Sequence, residues 1–489
     1  MHCFNDDRRW QTFDDRWKEC TYQMQAITDW SKSLRVEVRG DDVAQHAGCV
    51  LPRMLADAFG LTEALSAAVS RPEVTHDRGV VLRDVAVAIA DGGRDISDVA
   101  VLGEQARLFG PVASVPTVWR SLNELHAQDL AAITAARNAI RPRVWEAIAA
   151  RHGGIPSAPT CYGDLGEVIV IRIDASLIDA HSDKQHAAGT FKGGFGFHPL
   201  MAWCDNTGEL LAIIARPGNA GSNTAADHIA IIDAAIAAIP AKWRKNLLVT
   251  IDGAGSSHDV VEHLATLNER PGWSVQYSVG FDLDERARVA IGQMPADGWE
   301  PALDPTGKAR EDAQVAELTG LLRESAGVDR LDGWPTDMRI LVRREKIQQA
   351  TQLSLFEQIN GYRYQVIATA TRGGQPQRLE ARHRVHARVE DFIRNGKSTG
   401  LGRWPSSLFA INTAWVTAAA IAIDLLCWMR LLLLDGPLAK AEPDTLRHRL
   451  LHTAVRLVRH ARYLILRVPE TWPWAKAFAS AFHRVLAIP

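Results

Sequence analysis

Cysteine is scarce in this sequence of 489 residues: there are six, and no two of them form a C-x-x-C pair. Their spacing excludes a zinc ribbon and a disulfide scaffold, so we expect reduced thiols in a cytoplasmic protein. The motif G-x-x-x-x-G-K-[ST] does not occur, which argues against the use of ATP. The first residues, MHCFNDDRRW, are polar, and we expect no signal peptide.

An excess of charge of one sign is also missing, because 55 Lys and Arg residues stand against 57 Asp and Glu residues, a net charge of -2. Nucleic-acid binding would therefore depend on local basic regions. One such region is 442–489, where seven Arg and one Lys outnumber three acids, a net charge of +5. The most apolar stretch, 408–434, contains Asp424 and Arg430, and charges are costly inside a bilayer. We expect a pair of buried core helices there and no membrane span.

The first 160 residues are predicted to be helical after a loose, charged extension at 1–40. Between 41 and 160, apolar residues recur at steps of three and four, as on one face of a helix. Ser114 is a suitable N-cap, and Pro116 suits the first turn of a helix that carries Trp119 and Arg120. Short helices followed by such a capped helix are typical of a DNA-binding domain, with Trp119 and Arg120 among its contacts. A helical bundle without a ligand fits the same pattern.

The periodicity changes at Gly166, and residues 161–281 predict strands and helices. GEVIVIRIDAS predicts a buried strand, and FHPLMAWC and ELLAIIARPG predict a hairpin. A helix, a strand, a second helix and a further strand follow. The order β-β-β-α-β-α-β, followed by a helix, is that of an α/β RNase H-like core.

The remaining residues are predicted in three parts. Residues 282–375 form a β-rich insertion, whose strands are DMRILVRREK and GYRYQVIATAT. Residues 376–435 supply the last helices of the core, and residues 436–489 form a basic, helical C-terminal region.

Two aspartates end apolar strands of the predicted core. Asp174 closes the run IVIRID, and Asp252 closes LLVTID. Burying a carboxylate is costly unless it is paired or binds a metal. Each Asp alone fits a turn-capping role, as in Asp-Ala-Ser and Asp-Gly-Ala. Because the first and fourth strands of this topology lie side by side, we favour a shared divalent cation.

A third carboxylate is expected from a helix that follows the last strand. Glu390 lies in ARHRVHARVEDFIRNGK, where His383, His386, Arg394 and Lys397 share its helical face. A Glu surrounded by cations suits a site that binds metal and phosphate together. A solvated charged face is the alternative interpretation.

With these three acids in view, the chain resembles the DDE transposases of bacterial insertion sequences. It is similar to the group with a Y-(2)-R-(3)-E-(6)-K signature around the last acid. His383, His386, Glu390 and Lys397 have this spacing, but His occupies the positions of both Tyr and Arg. The lost cation is expected from one of three nearby arginines: Arg382, Arg384 and Arg388.

The resemblance extends over about 45–489. RIDASLIDAHSD, the Gly-rich insert after it and the ARPGN turn are similar to the first-acid region of that group. At the second acid, T-I-D-G-A-G stands where such proteins often have R-A-D-S-G. The 138 residues from Asp252 to Glu390 are similar to members that carry a β-rich insertion domain before the Glu.

The resemblance implies a two-metal mechanism of DNA cleavage and strand transfer. Two Mg²⁺ ions, with Mn²⁺ as a second option, would activate the nucleophile and stabilise the leaving oxygen. Asp174 would bridge both ions, Asp252 would hold one, and Glu390 would hold the other. Lys397 and Arg394 would contact phosphates of the scissile strand.

The resemblance also implies partners and a location. They are the terminal inverted repeats of the element and target DNA, bound by a homodimer or a larger synaptic assembly. The movement would be cut-and-paste, with a hairpin intermediate left open. We expect no membrane and no ATP, and a bacterial cytoplasmic, nucleoid-associated location.

Other interpretations stay open at this point. Asp179 is an alternative first acid, although it lies beyond the apolar strand. His383, His386 and Glu390 have the spacing of a zinc site on a helix. An RNase H-like structure-specific nuclease would cut DNA but not join it, and a catalytically inactive relative would only bind DNA.

Overall fold

Nine strands form one mixed sheet in the computed structural model, which describes residues 36, 38 and 42–488 apart from 73, 222–223, 256, 325–327 and 348–353. The extension expected at 1–40 therefore lies almost entirely outside the described residues. The strands are β1 (Ile169–Ala175), β2 (Leu200–Cys204), β3 (Leu210–Ile214), β4 (Asn246–Ile251), β5 (Ser274–Phe281), β6 (Glu300–Leu303), β7 (Ala309–Glu317), β8 (Arg339–Lys346) and β9 (Tyr362–Thr369).

The spatial order of the strands is β6-β7-β8-β9-β5-β4-β1-β2-β3. Strands β1, β4 and β5 are parallel, whereas β2 is antiparallel to β1 and β3 to β2. The first and fourth strands are neighbours, as we predicted from the element order. Most residues of β1, β2 and β4 are buried, because both faces of this part of the sheet are covered.

Helices cover the sheet and build the rest of the molecule. Those of eight or more residues are α1 (Val50–Ala58), α2 (Leu61–Ala68), α3 (Arg78–Ala90), α4 (Val115–Asn123), α5 (Ala127–His152), α6 (Ala225–Ala238), α7 (His258–Asn268), α8 (Glu285–Gln293), α9 (Pro376–Arg384), α10 (Arg388–Gly396), α11 (Phe409–Trp428) and α12 (Ala475–Leu486). Shorter helices are Ala100–Gly103, Ala106–Phe109, Thr319–Glu324, Leu355–Asn360, Gly436–Ala439 and Pro443–Leu446.

The β-rich insertion continues the main sheet. Its two predicted strands are present as β8 and β9, and β9 pairs antiparallel with β5. Strands β6 and β7 were not predicted, because the sequence AREDAQVAE of β7 is too polar to look like a strand. The Arg310 side chain forms ion pairs with Asp312 and with Glu345 on β8, which compensates for this polarity.

The N-terminal helices pack on the C-terminal apolar helix. Helix α3 is buried along almost its whole length and contacts α11. In the centre, Asp424 of α11 accepts hydrogen bonds from Arg137 and Arg141 of α5. Arg141 also pairs with Glu209, at 2.9 Å, in the turn before β3. This fully buried ion cluster joins the helical layer to the sheet.

The apolar stretch 408–434 is a single helix in the described structure, and the pair that we expected is wrong. No Gly or Pro interrupts 409–433, so α11 continues through a wider turn at Met429–Leu433. The helix Phe409–Leu433 is long and apolar enough to cross a membrane, but 83% of its most apolar window is buried in the protein. It is the core helix of this fold.

The C-terminal region is only partly helical, which corrects our prediction for 436–489. Val455–His460 and Tyr463–Arg467 form a hairpin that also pairs with Val43–Ala44. Val455 and Leu457 are buried and Arg456 between them is exposed, an alternation of period two that a strand requires. The count of basic residues hid this alternation.

Candidate active site

Two of the three predicted acids lie at the same edge of the sheet. Asp174 is near the end of β1, and Asp252 directly follows β4. Ile173 is the register partner of Ile251 in this parallel pair, so the two aspartates leave adjacent strands at the same level. The Ala175 amide donates a hydrogen bond to Asp174 Oδ1 at 2.7 Å.

Glu390 reaches the same edge from helix α10. Val389 and Ile393 are buried beneath the helix, and Glu390 is exposed on the opposite side. Glu390 and Asp252 line one cleft of about 790 Å³. The positively charged residues of its lining are Arg343, Arg384 and Arg388. Carboxylates and guanidinium groups therefore face the same space.

Two acidic neighbours affect the pKa of Asp174. Burial and the negative charge of Asp252 raise the pKa of Asp174 to about 7, and the charge of Glu390 adds to the rise. The Ala175 amide and the Lys397 ammonium act in the opposite direction. The three acids thus form one electrostatic unit, although they are far apart in sequence.

The carboxylates do not form a closed cluster. Across the described residues, ligand atoms that all lie within 4.8 Å of one another occur in a different group, and the three acids are not such a group. Two ions that share one carboxylate occupy more space than a single ion. A wider spacing of the three acids therefore suits a site for two ions. The donor set is made of hard oxygens, and burial together with the charges of Asp252 and Glu390 raises the pKa of Asp174, so the residues fit divalent Mg²⁺ or Mn²⁺.

The two histidines of the signature positions are buried, although both lie in the lining of the cleft, and this contradicts our expectation that they are exposed cations in contact with DNA. His383 shares a hydrogen bond with Ser278 Oγ at 2.9 Å, and His386 with Thr250 Oγ1 at 2.9 Å. Burial lowers the pKa of His383 to about 4 and the pKa of His386 well below its ordinary value. They anchor α9 and the turn after it to β5 and β4. The alternative zinc site at His383, His386 and Glu390 is not a close ligand group in the described structure.

A buried polar network that we did not predict holds α10 in place. Arg388 Nε lies 3.0 Å from Asp205 Oδ1, and Arg172 donates to Asp205 Oδ2 at 2.7 Å. Arg172 and Asp205 are both buried. The sequence signal was an Arg inside the apolar run IVIRID, since a buried Arg requires an acidic partner. Arg388 therefore connects the Glu390 helix to β1 and also lines the cleft.

The other arginines near Glu390 differ in position. Arg382 is buried and donates to Gln276 and Thr371, whereas Arg384 lines the cleft and donates to Glu380. Arg394 is exposed and pairs with Asp391 and Glu442, on a side of α10 that does not line the cleft.

Lys397 lies close to the first acid. Its Nζ donates to the Leu177 carbonyl at 2.9 Å, and its charge acts on Asp174 and Asp179. Asp179, the alternative first acid, is exposed beyond β1 and lines a separate depression with Lys397 and Lys192.

The predicted recognition residues are on the surface of α4. Trp119 is 42% exposed, and Arg120 is exposed and donates to the Pro116 carbonyl. Neither belongs to the lining of the acid cleft. The Ser114 side chain contacts Thr117 Oγ1 at 3.1 Å and makes no capping bond to the helix amides.

The family described as Transposase DDE domain group 1 matches residues 27–489. No curated protein matches the sequence. Among five matching chains of solved structures is a cryo-EM structure of a piggyBac transposase synaptic complex with hairpin DNA. It is 9% identical, and the similarity covers 82% of this chain and 78% of that chain with a TM-score of 0.39.

Proposed function

The chain belongs to the family of transposase DDE domains of group 1, and we propose that Asp174, Asp252 and Glu390 are its catalytic acids. The observation that carries this assignment is geometric: Asp174 and Asp252 leave adjacent parallel strands at the same level, and Glu390 lines the same cleft as Asp252. The raised pKa of Asp174, caused by burial and by the charges of Asp252 and Glu390, supports it. The strand order β3-β2-β1-β4-β5 supports an RNase H-like core around them.

Asp174, Asp252 and Glu390 would together hold the Mg²⁺ ions, two per site. Such ions, when bound, supply a deprotonated nucleophile and neutralise charge at phosphorus. Asp174 must be ionised to act as a ligand, and near neutral pH its own neighbours oppose that ionisation. A bound divalent cation would favour the ionised form of Asp174.

Positively charged side chains next to the acids suit the DNA backbone. Arg388 and Arg384 share the cleft with Glu390, and a guanidinium group can hold a phosphate through two hydrogen bonds. Lys397 stands beside Asp174 and suits a phosphate on the other side of the acids. In this proposal Arg388 takes the role that the signature gives to Arg, because His386 is buried. Arg394 is left out of the cleft.

The full activity that we propose is cut-and-paste transposition of an insertion sequence. The protein binds the terminal inverted repeats, cleaves the DNA ends and joins them to target DNA in a homodimer or a larger synaptic assembly. The proposed location is the bacterial cytoplasm, in association with the nucleoid. The exposed, basic C-terminal hairpin, with Arg456, Arg459, Arg462 and Arg467 and no acid, suits contact with DNA outside the cleft.

We assign recognition of the element's DNA ends to helix α4. The test of this assignment uses the full-length chain. Helix α3 is buried against α11, so residues 45–150 alone would expose an apolar face. The double variant Trp119→Ala, Arg120→Ala should lose the footprint on the element ends and keep weak binding to random DNA. An unchanged footprint would remove α4 from recognition.

The activity is tested on DNA that carries the sequences flanking the gene. The full-length chain is incubated with these ends and a target plasmid, with and without Mg²⁺. We expect cleavage at the ends and joined products only with the ion. Cleavage without joining identifies a nuclease, and binding without cleavage identifies an inactive relative; either result rejects the transposase assignment.

A further inference from the structure

Three potential metal ligands lie close together outside the acid cleft. None of them belongs to the lining of that cleft. His46 precedes α1, Asp91 follows α3, and His452 precedes the C-terminal hairpin. Their ligand atoms all lie within 4.8 Å of one another, and this is the one such group that the described residues contain. His46 Nδ1 is 2.7 Å from Asp91 Oδ2, and His452 Nε2 is 3.3 Å from Asp91 Oδ1.

The Asp91 carboxylate is enclosed by the two imidazoles. Asp91 is only 8% exposed, and its Oδ1 is buried and accepts no hydrogen bond of good geometry among the described residues, although His452 Nε2 lies 3.3 Å away. The same nitrogen is 2.9 Å from the Asp91 backbone carbonyl, so a single N–H cannot serve both oxygens well. A cation held by the two imidazoles and this oxygen would satisfy the carboxylate more fully.

The two imidazoles leave a path to the group from solvent. The His46 and His452 side chains are 26% and 41% exposed, and their ring centroids are 4.5 Å apart. The buried Cys49 lies beside Asp91, and burial followed by the charge of Asp91 raises the pKa of its thiol. Two imidazole nitrogens and one carboxylate oxygen are a donor set that zinc accepts, with a fourth position for water.

We propose that His46, Asp91 and His452 bind a zinc ion whose fourth position is open to water. Its role follows from where the ligands are attached. His46 lies two residues after Val43–Ala44, and His452 lies three residues before Val455, at the start of the hairpin strand that pairs with Val43–Ala44. Asp91 belongs to the helical core. The ion thus fastens the small three-stranded sheet, with its basic hairpin, to the end of α3.

Metal content of the full-length chain, purified without chelators, tests this site. We expect about one zinc per chain in the wild type and in Asp174→Asn, which leaves the ligands intact. Asp91→Asn and His452→Gln should each lose most of the zinc. His460→Gln, an exposed histidine of the same hairpin, is the matched control and should keep it. A wild type that remains free of zinc after incubation with one equivalent and dialysis overturns the proposal, as does full zinc in Asp91→Asn.

A spectroscopic measurement on the wild type does not depend on the folding of variants. Cobalt(II) added to the metal-free chain should give the visible absorption of a four- or five-coordinate ion at about one equivalent, and zinc should displace it. The metal-free chain should also melt at a lower temperature than the zinc-loaded chain. If the spectrum is that of octahedral aqueous cobalt and the melting temperature does not change, the three residues only form hydrogen bonds with one another. That result overturns the proposal.

Discussion

At the scale of single residues, Asp174 is the side chain whose ionisation most clearly links structure to function. Its folded pKa of about 7 is above the ordinary value, so the folded state holds a proton that the unfolded state has lost between about pH 4 and pH 7. Stability therefore falls as pH rises through this window, and the penalty is complete above pH 7. Because Asp174 is partly exposed to solvent, this loss of stability is smaller than the full pKa shift would give.

We predict that Asp174→Asn removes this penalty in the metal-free protein. In EDTA, the gain in unfolding free energy over the wild type should grow by about 2 kcal/mol between pH 5 and pH 8. Urea denaturation at the two pH values measures the change, and Asp179→Asn, an exposed neighbour, serves as control. A gain that does not vary with pH would show that Asp174 is not under strain from its acidic neighbours.

The second prediction for a single residue concerns His386. An Arg at the signature position would bury a charge next to Arg172 and lose the bond to Thr250. His386→Arg should therefore lower the free energy of unfolding by about 3 kcal/mol or more. Chemical denaturation beside His460→Arg, on the exposed hairpin, makes the comparison. If both variants are equally stable, the site around His386 is more open than described.

The sequence predicted where the proposed acids lie but not the groups that support them. Asp174 and Asp252 could be placed on neighbouring strands because each follows an apolar run and the element order makes those strands adjacent. The partners Asp205 and Arg172 could not be predicted, because their contact depends on how the β2–β3 turn folds over β1. Periodicity gives no information on whether a histidine on an amphipathic helix faces the core or the solvent.

At the scale of elements, the turn that carries Asp252 depends on a close approach to β5. A Cβ atom added at Gly280 would lie 2.6 Å from the Gly253 backbone and 2.9 Å from the Asp252 carbonyl carbon. Gly292 in helix α8 has no heavy atom within 4 Å of such a Cβ. The two glycines form a matched pair for substitution.

We predict that Gly280→Ala displaces Asp252 and reduces DNA cleavage at least tenfold, in line with the effect of a displacement of about 1 Å on catalytic geometry. Gly292→Ala should leave the cleavage rate unchanged. Single-turnover cleavage in Mg²⁺, with binding of the DNA ends measured in parallel, tests both. Near wild-type cleavage by Gly280→Ala would mean that the position of Asp252 is not critical.

Elements with regular periodicity were predictable, and those with polar faces were not. Strands β1 and β4 are apolar runs, and β8 and β9 each contain three consecutive apolar residues, so all four were recognised. Strand β7 has no such run, and the C-terminal hairpin places charged residues on an exposed face. Helix α11 was recognised as buried, but its continuity was missed. In each case the missing information was which face is covered.

At the scale of the whole molecule, the buried ion cluster ties regions that are far apart in the sequence. Asp424 compensates Arg137 and Arg141, and each of the three side chains is at most 5% exposed. Removal of one member leaves buried charges without a partner, which is among the most destabilising changes known for single substitutions.

We predict that Asp424→Asn lowers the free energy of unfolding by about 3–5 kcal/mol. Asp435→Asn, at an exposed pair with Arg151, should change it by less than about 1 kcal/mol. Denaturant titration of both variants decides the matter. Equal stabilities would indicate that the helical and sheet regions are held together by apolar packing alone.

The central claim is that three acids from separate elements act as one DNA-cleaving site. Its most direct test compares Asp174→Asn, Asp252→Asn and Glu390→Gln with Asp179→Asn in two assays, binding of the element ends and single-turnover cleavage in Mg²⁺. The first three variants should bind DNA and lose cleavage by at least about a thousandfold, as expected for loss of a metal ligand. Asp179→Asn should cleave at close to the wild-type rate. Cleavage by any of the three, or its loss in Asp179→Asn, would contradict the assignment.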